Sequence, residues 1–180
     1  MRLPGPTHLV IQSRGKATEA LEWTRGVLAR LGLTLDEKKT SIRHAGQERF
    51  DFLGYTFGPH FNPRGGRRYL GYSPSQKSVS RIKQKVGELL DRRNGAPWEE
   101  VCQKLNRKLQ GWRQYFSVGA TSKAYQAVDD YVYDRVRNFL RRRHKVSSQG
   151  TRQFPAERVY GTLGVISAPG TTGRAYVSLR

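Results

Sequence analysis

The sequence predicts an α+β protein, in which a β-α-β unit and a hairpin precede a three-helix bundle. Two observations support this class. Apolar and polar residues alternate in the segment 50–72, and three stripes of apolar residues at spacings of three and four follow it. A third observation, a formal net charge of +19, indicates a strongly basic surface. A chain of 180 residues can form one domain or two small ones.

The first element is a short apolar run at residues 9–11, followed by apolar side chains at helical spacing as far as Leu31. This pattern predicts a strand that leads into an amphipathic helix of about four turns. Gly32 stands where a helix commonly ends. Short extended pieces are expected between Thr34 and Ile42, around a charged turn, and they would complete the β-α-β unit.

A hairpin is expected next. The segment 50–57 alternates in polarity, and two glycines at 65–66 separate two further extended runs. Gly54 interrupts the alternation, which indicates a bulge or a close approach of another part of the backbone. Ser73 then offers a helix N-cap and Pro74 a first helical residue, so a helix is expected to begin there.

Three amphipathic helices are predicted between residues 73 and 145, with breaks at 92–99 and 117–123 that contain Gly, Asn or Ser. Their apolar stripes are expected to face one another in a bundle. The stripes are Val79, Ile82, Val86, Leu89 and Leu90; Trp98, Val101, Leu105, Leu109, Trp112 and Phe116; and Tyr125, Val128, Val132, Val136, Phe139 and Leu140.

No fold is assigned to residues 146–180, which are treated as a basic C-terminal extension. The expected organisation is therefore a β-rich unit at 1–72, a helical domain at 73–145 and this extension.

The positive charge is concentrated in the later part of the chain. Residues 1–59 hold 9 basic and 6 acidic side chains, whereas residues 60–180 hold 24 and 8. Such a field destabilises a compact chain unless a polyanion neutralises it, so nucleic acid is the first partner to consider and an anionic membrane the second. RNA is favoured over duplex DNA, because no helix-turn-helix pattern or zinc ligands are found and aromatic residues stand among the cations.

The cations on the three helices lie off the apolar stripes and are expected to point outward, where they can meet phosphates. The alternative is a solvated basic face, but none of the three helices is expected to carry a balancing acidic row. Trp112 and Phe116 continue an apolar stripe and are expected in the core, whereas Tyr115 lies one position off it and is a candidate for base stacking. The RNA-binding candidates are Arg67, Arg68, Lys77, Arg81, Lys85, Lys104, Arg107, Lys108, Arg113, Tyr115, Arg135, Arg141, Arg142, Arg143 and Lys145.

Other chemistry finds little support. The single Cys excludes a disulfide framework and a four-thiolate zinc site, and it fits a reducing compartment. The four His residues have no Cys or carboxylate partners at ligand spacing, so no metal site is expected. No nucleophile motif surrounds any Ser or Thr. No run of about 18 apolar residues and no signal-peptide core is present, so a soluble intracellular protein is expected.

Four segments in order resemble the C-terminal part of group II intron-encoded proteins. They read "LGLTLDEKKTSIRH", "FDFLGYTF", "RRYLGYSPSQKSVSRIKQKV" and "LNRKLQGWRQYFSVGATSKAYQAVDDYVYDRVRNFLRRRHK". The resemblance covers roughly residues 8–165. It implies the end of a reverse-transcriptase palm, formed by the β-α-β unit and the hairpin, followed by the helical thumb or maturase (X) domain.

The resemblance also implies roles for individual residues. Lys39 in "LTLDEKKT" corresponds to a lysine that approaches the incoming nucleotide, and the segment Phe52, Leu53 and Gly54 is similar to the primer grip. The pattern "LN…GW…YF…RRR" is similar to that of maturase domains that bind intron RNA and help it to splice. In this chain the pattern contains Asn106, Gly111, Trp112, Tyr115, Phe116, Arg141, Arg142 and Arg143.

The chain departs from the family at the catalytic turn. A reverse transcriptase needs a Tyr-Ala-Asp-Asp turn before "LVI", because paired carboxylates hold the two divalent ions that activate the primer hydroxyl. Here that place reads "MRLPGPTHLVI", and the first acidic residue is Glu19. We therefore expect no polymerase activity from this polypeptide alone, and Mg²⁺ only if a catalytic palm completes it.

The resulting hypothesis is an RNA-binding maturase-type module, without a catalytic step or cofactor of its own, that binds group II intron RNA or other structured RNA. The expected setting is a ribonucleoprotein in the bacterial cytoplasm. One alternative is the C-terminal portion of a split or truncated reverse transcriptase, whose catalytic residues lie on another polypeptide. Another is a generic basic chaperone or a DNA-binding protein.

Overall fold

The computed structural model describes residues 16–37, 40–62 and 65–169. The first helix, α1, spans Ala17–Arg30 and ends before Gly32, whose φ of 68° is the left-handed conformation typical of a glycine after a helix. The expected strand at 9–11 lies outside the described residues. The strand expected after α1 is absent from 40–49, and Thr34 makes only an isolated β bridge. Local turns take its place, since Thr40 Oγ1 donates to Asp36 O.

Three strands form an antiparallel sheet in chain order: β1 at Phe50–Phe52, β2 at Tyr55–Phe61 and β3 at Arg68–Pro74. Leu53 and Gly54 alone connect β1 to β2, and both have positive φ, 47° and 80°. This geometry is that of a tight two-residue hairpin turn, so the expected bulge at Gly54 is wrong. The close approach at Gly54 comes from side chains rather than from another part of the backbone, because an added Cβ would lie 2.9 Å from Ser78 Oγ and 3.0 Å from the Phe116 ring.

The helix after the sheet, α2, spans Gln76–Leu89 and begins two residues later than expected. Ser73 and Pro74 still belong to β3, where they pair with Thr56 and Tyr55. Ser75 is the N-cap instead, with its Oγ accepting from Ser78 N at 3.2 Å. The predicted N-cap at Ser73 is wrong because strand pairing continues through it.

The remaining bundle helices are α3 at Trp98–Tyr115 and α4 at Ser122–Arg143, and both pack with α2 around one apolar core. The predicted stripes are confirmed as its main contributors, including Phe116, which is 6% exposed. Trp112 is only partly buried, although it packs against the core. The buried apolar residues that the helices and their C-caps contribute are Ile82, Val86, Leu90, Val101, Cys102, Leu105, Leu109, Phe116, Val128, Val132, Val136, Phe139 and Leu140.

Residues 146–169 fold back onto the bundle. They include a short π-helical turn at Arg158–Thr162, and Phe154, Val159, Val165 and Ala168 are all buried. The sequence predicts no fold for this segment, because four apolar residues spread over 15 positions show neither helical nor strand spacing. The helical unit therefore extends well past residue 145.

In contrast, α1 contributes no buried residue, and the side chain of Trp23 on this helix is 68% exposed. The apolar stripe that predicted α1 is thus only partly covered within the described part of the chain. No helix in that part is both long and apolar enough to cross a membrane.

Candidate nucleic-acid interface

The clearest row of free cations lies on α2. Lys77, Arg81 and Lys85 follow one another at spacings of four, which brings them to one side of the helix, and all three are exposed. The opposite side of α2 enters the core through Ile82 and Val86. Among the described residues, none of the three cations pairs with a carboxylate. The row is therefore available to an external anion.

The α3 cations divide into two kinds. Arg107 and Lys108 are exposed and have no acidic partner in the described ranges. Lys104 is also exposed, but its Nζ pairs with Glu100 one turn earlier. An exposed pair of this type contributes less than about 1 kcal/mol, so a phosphate can replace the carboxylate at small cost.

Several of the α4 cations donate hydrogen bonds within the protein, which the sequence did not predict. Arg135 donates to Gly87 O at 3.1 Å, Arg141 donates to Ser148 O, and Arg143 donates to Ala96 O at 2.6 Å. Arg142 and Lys145 are exposed, with no side-chain partner among the described residues.

The solvent-facing side of α4 also carries acidic residues, since Asp130 and Asp134 are both exposed. Burial, followed by the neighbouring Asp129 and Asp134 charges, raises the pKa of the Asp130 carboxyl. The expectation that none of the three helices has a balancing acidic row is therefore wrong for α4, and the basic surface is better developed on α2 and α3.

Arg113 does not point outward. Its guanidinium forms a salt bridge with Asp129 on α4, and the two side chains are only 11% and 6% exposed. The second Asp129 oxygen accepts from Ala168 N at 2.8 Å. The expectation of an outward-facing Arg113 is wrong, because its partner lies 16 residues away and a single-helix pattern cannot reveal it.

The hairpin contributes two further cations. Arg67, just before β3, and Arg68, the first residue of β3, are both exposed, and Arg68 donates to Gly46 O. Lys39, the polymerase-motif lysine of the resemblance, lies outside the described residues. Nothing in the described part of the chain therefore tests the role implied for it.

The primer-grip-like turn is attached to the end of α3 by two tyrosines. Tyr55 donates from its hydroxyl to Tyr115 O at 2.8 Å, and Tyr115 donates to Leu53 O at 3.0 Å. The two rings stack with centroids 6.2 Å apart. Burial raises the pKa of the Tyr55 phenol above its ordinary value. The Tyr115 side chain is still 56% exposed, and this exposure leaves room for stacking.

The sequence did not reveal the docking of segment 163–168 on α3. Trp98 Nε1 donates to Leu163 O at 3.0 Å, Cys102 Sγ donates to the same oxygen at 3.3 Å, and Asn106 Nδ2 donates to Gly164 O at 2.7 Å. These three side chains lie at spacings of four on one line of the helix. Asn106, part of the maturase-like pattern, thus has a packing role here. The hydrogen-bond donors Trp98, Cys102 and Asn106, spaced by four on the predicted helix, were the feature of the sequence that could have indicated this contact.

A cavity of about 220 Å³ opens between the C-terminal end of α2 and that of α4. Three arginines line it, of which Arg92 was not among the sequence-derived candidates, whereas the lining residues Leu90 and Phe139 are only 2% and 6% exposed. The full lining is Leu90, Arg92, Asn94, Gly95, Phe139, Arg142 and Arg143. The described residues contain no group of three His, Cys, Asp or Glu side chains that could hold a metal ion.

Comparison with known proteins agrees with the bundle geometry. The family model for the maturase-specific domain of group II introns matches residues 79–155, which run from the first turn of α2 past α4 into the folded-back segment. No curated protein matches the chain. Residues 79–155 are thus similar to the maturase-specific domain of group II introns, and the resemblance found in the sequence is confirmed for that region.

Proposed function

We propose that this protein binds structured group II intron RNA through phosphate contacts and assists its splicing, without a catalytic step of its own. The family match supports a maturase-type function in general. The specific role in RNA binding rests on the exposed cations of α2 and α3, with Tyr115 as a further contact.

The observation that carries the proposal is the unpaired row on α2. Three positive side chains at spacings of four repeat about every 6 Å along the helix, since each residue rises 1.5 Å. This distance is close to the spacing of phosphates along a nucleic-acid strand. Like charges at i and i+4 repel one another, so the row costs stability unless an anion neutralises it. A polyanion would remove that cost.

The test compares Lys77→Gln/Arg81→Gln/Lys85→Gln with wild type in binding to group II intron RNA. Gln preserves helix propensity, so the fold is expected to persist. If each cation contacts one phosphate, the slope of log K against log salt becomes shallower by about two to three units. Circular dichroism checks the fold, and filter binding at several salt concentrations gives the slope.

Arg25→Gln is the control, since Arg25 lies on α1 and already pairs with Glu22 and Glu37. It is expected to leave the salt slope nearly unchanged. Equal slopes for the triple variant and wild type would contradict the role of the row. If wild type binds intron RNA no better than random RNA of equal length at about 0.15 M salt, the maturase-type function itself is contradicted.

A second candidate is the C-terminal portion of a split reverse transcriptase. This candidate is favoured by the exposed apolar surface of α1 and the residue after it. Trp23 and Leu31 are 68% and 67% exposed, and α1 has no buried residue. A catalytic palm on another polypeptide would cover such a surface. Co-expression with an upstream half would then restore primer extension, whereas the chain alone would not extend a primer in magnesium or manganese.

A further inference from the structure

We propose that a single-stranded segment of RNA crosses α3 at Gly111, where its sugar–phosphate backbone lies against the helix between Lys108 and Tyr115. This inference rests on the proposed function, because it takes RNA as the ligand. It goes further by naming the form of RNA that α3 accepts and an uncharged residue that determines the contact.

Gly111 lies in the interior of α3 although the fold does not require a glycine there. Glycine disfavours a helix interior more than any residue except proline. Gly111 is exposed, and a Cβ added to it would meet no atom within 4 Å. Gly87 in α2 differs, because an added Cβ would lie 3.0 Å from Tyr131 Oη. The packing of α2 against α4 therefore accounts for Gly87, whereas no contact in the described part of the chain accounts for Gly111.

The neighbouring side chains make the position of Gly111 a notch on the surface of α3. Arg107 and Lys108 precede Gly111 by four and three residues. Gln114 and Tyr115 follow it by three and four, and all four side chains are exposed. Residues at these spacings lie on the same side of a helix, and the seven residues from Lys108 to Tyr115 rise by about 10 Å. An RNA strand that crosses here can approach the helix backbone more closely than it could over a larger residue.

The charges beside the notch suit a phosphate. Arg107 and Lys108 form no ion pair among the described residues. The acidic side chains of α3, Glu99 and Glu100, lie in its first turn. Glu100 is therefore about 16 Å from Gly111 along the helix, roughly twice the screening length at physiological salt. A phosphate in the notch is attracted by the two cations and is little affected by the two carboxylates.

Tyr115 offers a surface on which a base can stack. Its hydroxyl donates to Leu53 O at 3.0 Å, and its ring stacks on Tyr55 with centroids 6.2 Å apart. The ring is thus held in place by the protein, yet the side chain is 56% exposed. A ring fixed in this way loses little freedom when a base stacks on it. The bases of a duplex already stack on one another, so the ring and the notch together select unpaired RNA.

The test uses the full chain, a mixed-sequence single-stranded RNA of about 12 nucleotides and a duplex of the same sequence, at about 0.15 M salt. Gly111→Gln fills the notch without a change in charge. It should weaken binding of the single strand about tenfold, which corresponds to about 1.4 kcal/mol, and leave duplex binding within about twofold. Because Gln is the better helix former, the variant should also unfold at a temperature about 2–4 °C higher. Damage to the fold cannot produce weaker binding in a more stable protein.

Gly26→Gln is the matched control, since Gly26 is also exposed in a helix and an added Cβ would meet nothing within 4 Å. It should leave both affinities within about twofold. Tyr115→Leu should weaken the single strand about tenfold through loss of the ring, whereas Tyr115→Phe should retain its binding. Equal losses for the two Tyr115 variants would show that the hydroxyl matters rather than the ring, and stacking would be wrong.

Three results for Gly111→Gln would overturn the proposal. Wild-type affinity for the single strand would mean that RNA does not cross α3 at the notch. Equal losses for single strand and duplex would mean that the notch does not select unpaired RNA. A lower unfolding temperature would mean that the fold itself requires the glycine. The proposed function fails separately, when wild type binds intron RNA no better than random RNA at about 0.15 M salt, whatever the Gly111 variant does to mixed-sequence RNA.

Discussion

Asp129→Ala should be among the most destabilising single substitutions in the bundle. The carboxylate of Asp129 pairs with Arg113 on α3 and accepts from Ala168 N in the folded-back segment. The backbone oxygen of the same residue accepts from Tyr160 Oη at 2.7 Å. One side chain on α4 therefore joins α3 and the C-terminal segment, and its removal affects both at once.

The size of the expected loss in free energy of unfolding follows from the burial of the Arg113–Asp129 pair. The Arg113 side chain is 11% exposed, so loss of its partner leaves a guanidinium that water reaches poorly. Removing one member of a buried ion pair costs about 3–5 kcal/mol. Since domains are stable by about 5–15 kcal/mol, this is a large fraction of the total. The matched control is Asp134→Ala, whose carboxylate is 58% exposed and pairs with Arg137 on the same helix. It should cost less than about 1 kcal/mol.

Urea unfolding followed by circular dichroism at 222 nm gives both free energies. The double variant Arg113→Met/Asp129→Leu, with its two single variants, completes a double-mutant cycle. Replacing both charges with apolar groups should lower the free energy of unfolding by less than the sum of the two single changes. If Asp129→Ala and Asp134→Ala differ by less than about 1 kcal/mol, the ion pair does not hold the segment in place and the reasoning fails.

Three further predictions concern other positions. Gly54→Ala should lower the free energy of unfolding by about 1–3 kcal/mol, because φ is 80° and the new Cβ would contact Ser78 and Phe116. Gly66→Ala should cost less, since its φ is 64° but the space around it is open. Equal losses for the two variants in urea unfolding would exclude the clash at Gly54. Burial raises the pKa of the Cys102 thiol, so its reaction with a thiol reagent at pH 8 should be slow in wild type. The reaction, followed by absorbance, should be faster in Asp129→Ala. Immediate labelling of wild type would contradict this prediction. Because the pKa of Asp130 is raised, ionisation costs stability above its folded-state pKa, so Asp130→Asn should stabilise slightly at pH 7. That gain should disappear below pH 3.8, and urea titrations at both pH values will measure it.

The three bundle helices could be predicted because helical spacing of apolar residues is a local property. Val86, Leu105 and Val132 all belong to stripes visible in the sequence, and all are fully buried. The family-like residues were also recognisable, and the family match confirms the region to which they belong.

The orientation of the cations could be predicted only in part. A single-helix pattern identifies which side of α2 is polar, and it was sufficient for Lys77 and Arg81. It cannot show that Arg113 pairs with a residue on another helix, or that Arg143 binds loop carbonyls 47 positions away. These contacts arise from tertiary packing. The N-cap was displaced for a similar reason, since Ser73 and Ser75 are equally suitable as caps and only strand pairing decides between them.

The docking of 163–168 on α3 also has a consequence for the order of folding. Its hydrogen bonds join residues 58 to 65 positions apart, whereas the helices themselves need only local contacts. During synthesis we expect α2, α3 and α4 to form as they leave the ribosome, whereas Trp98 and Asn106 have no partner in the later segment until Gly164 has emerged. A partly made chain would therefore expose this side of α3 while its basic helices are already able to meet RNA. We expect the core of the domain to be completed only after its cationic surface has appeared.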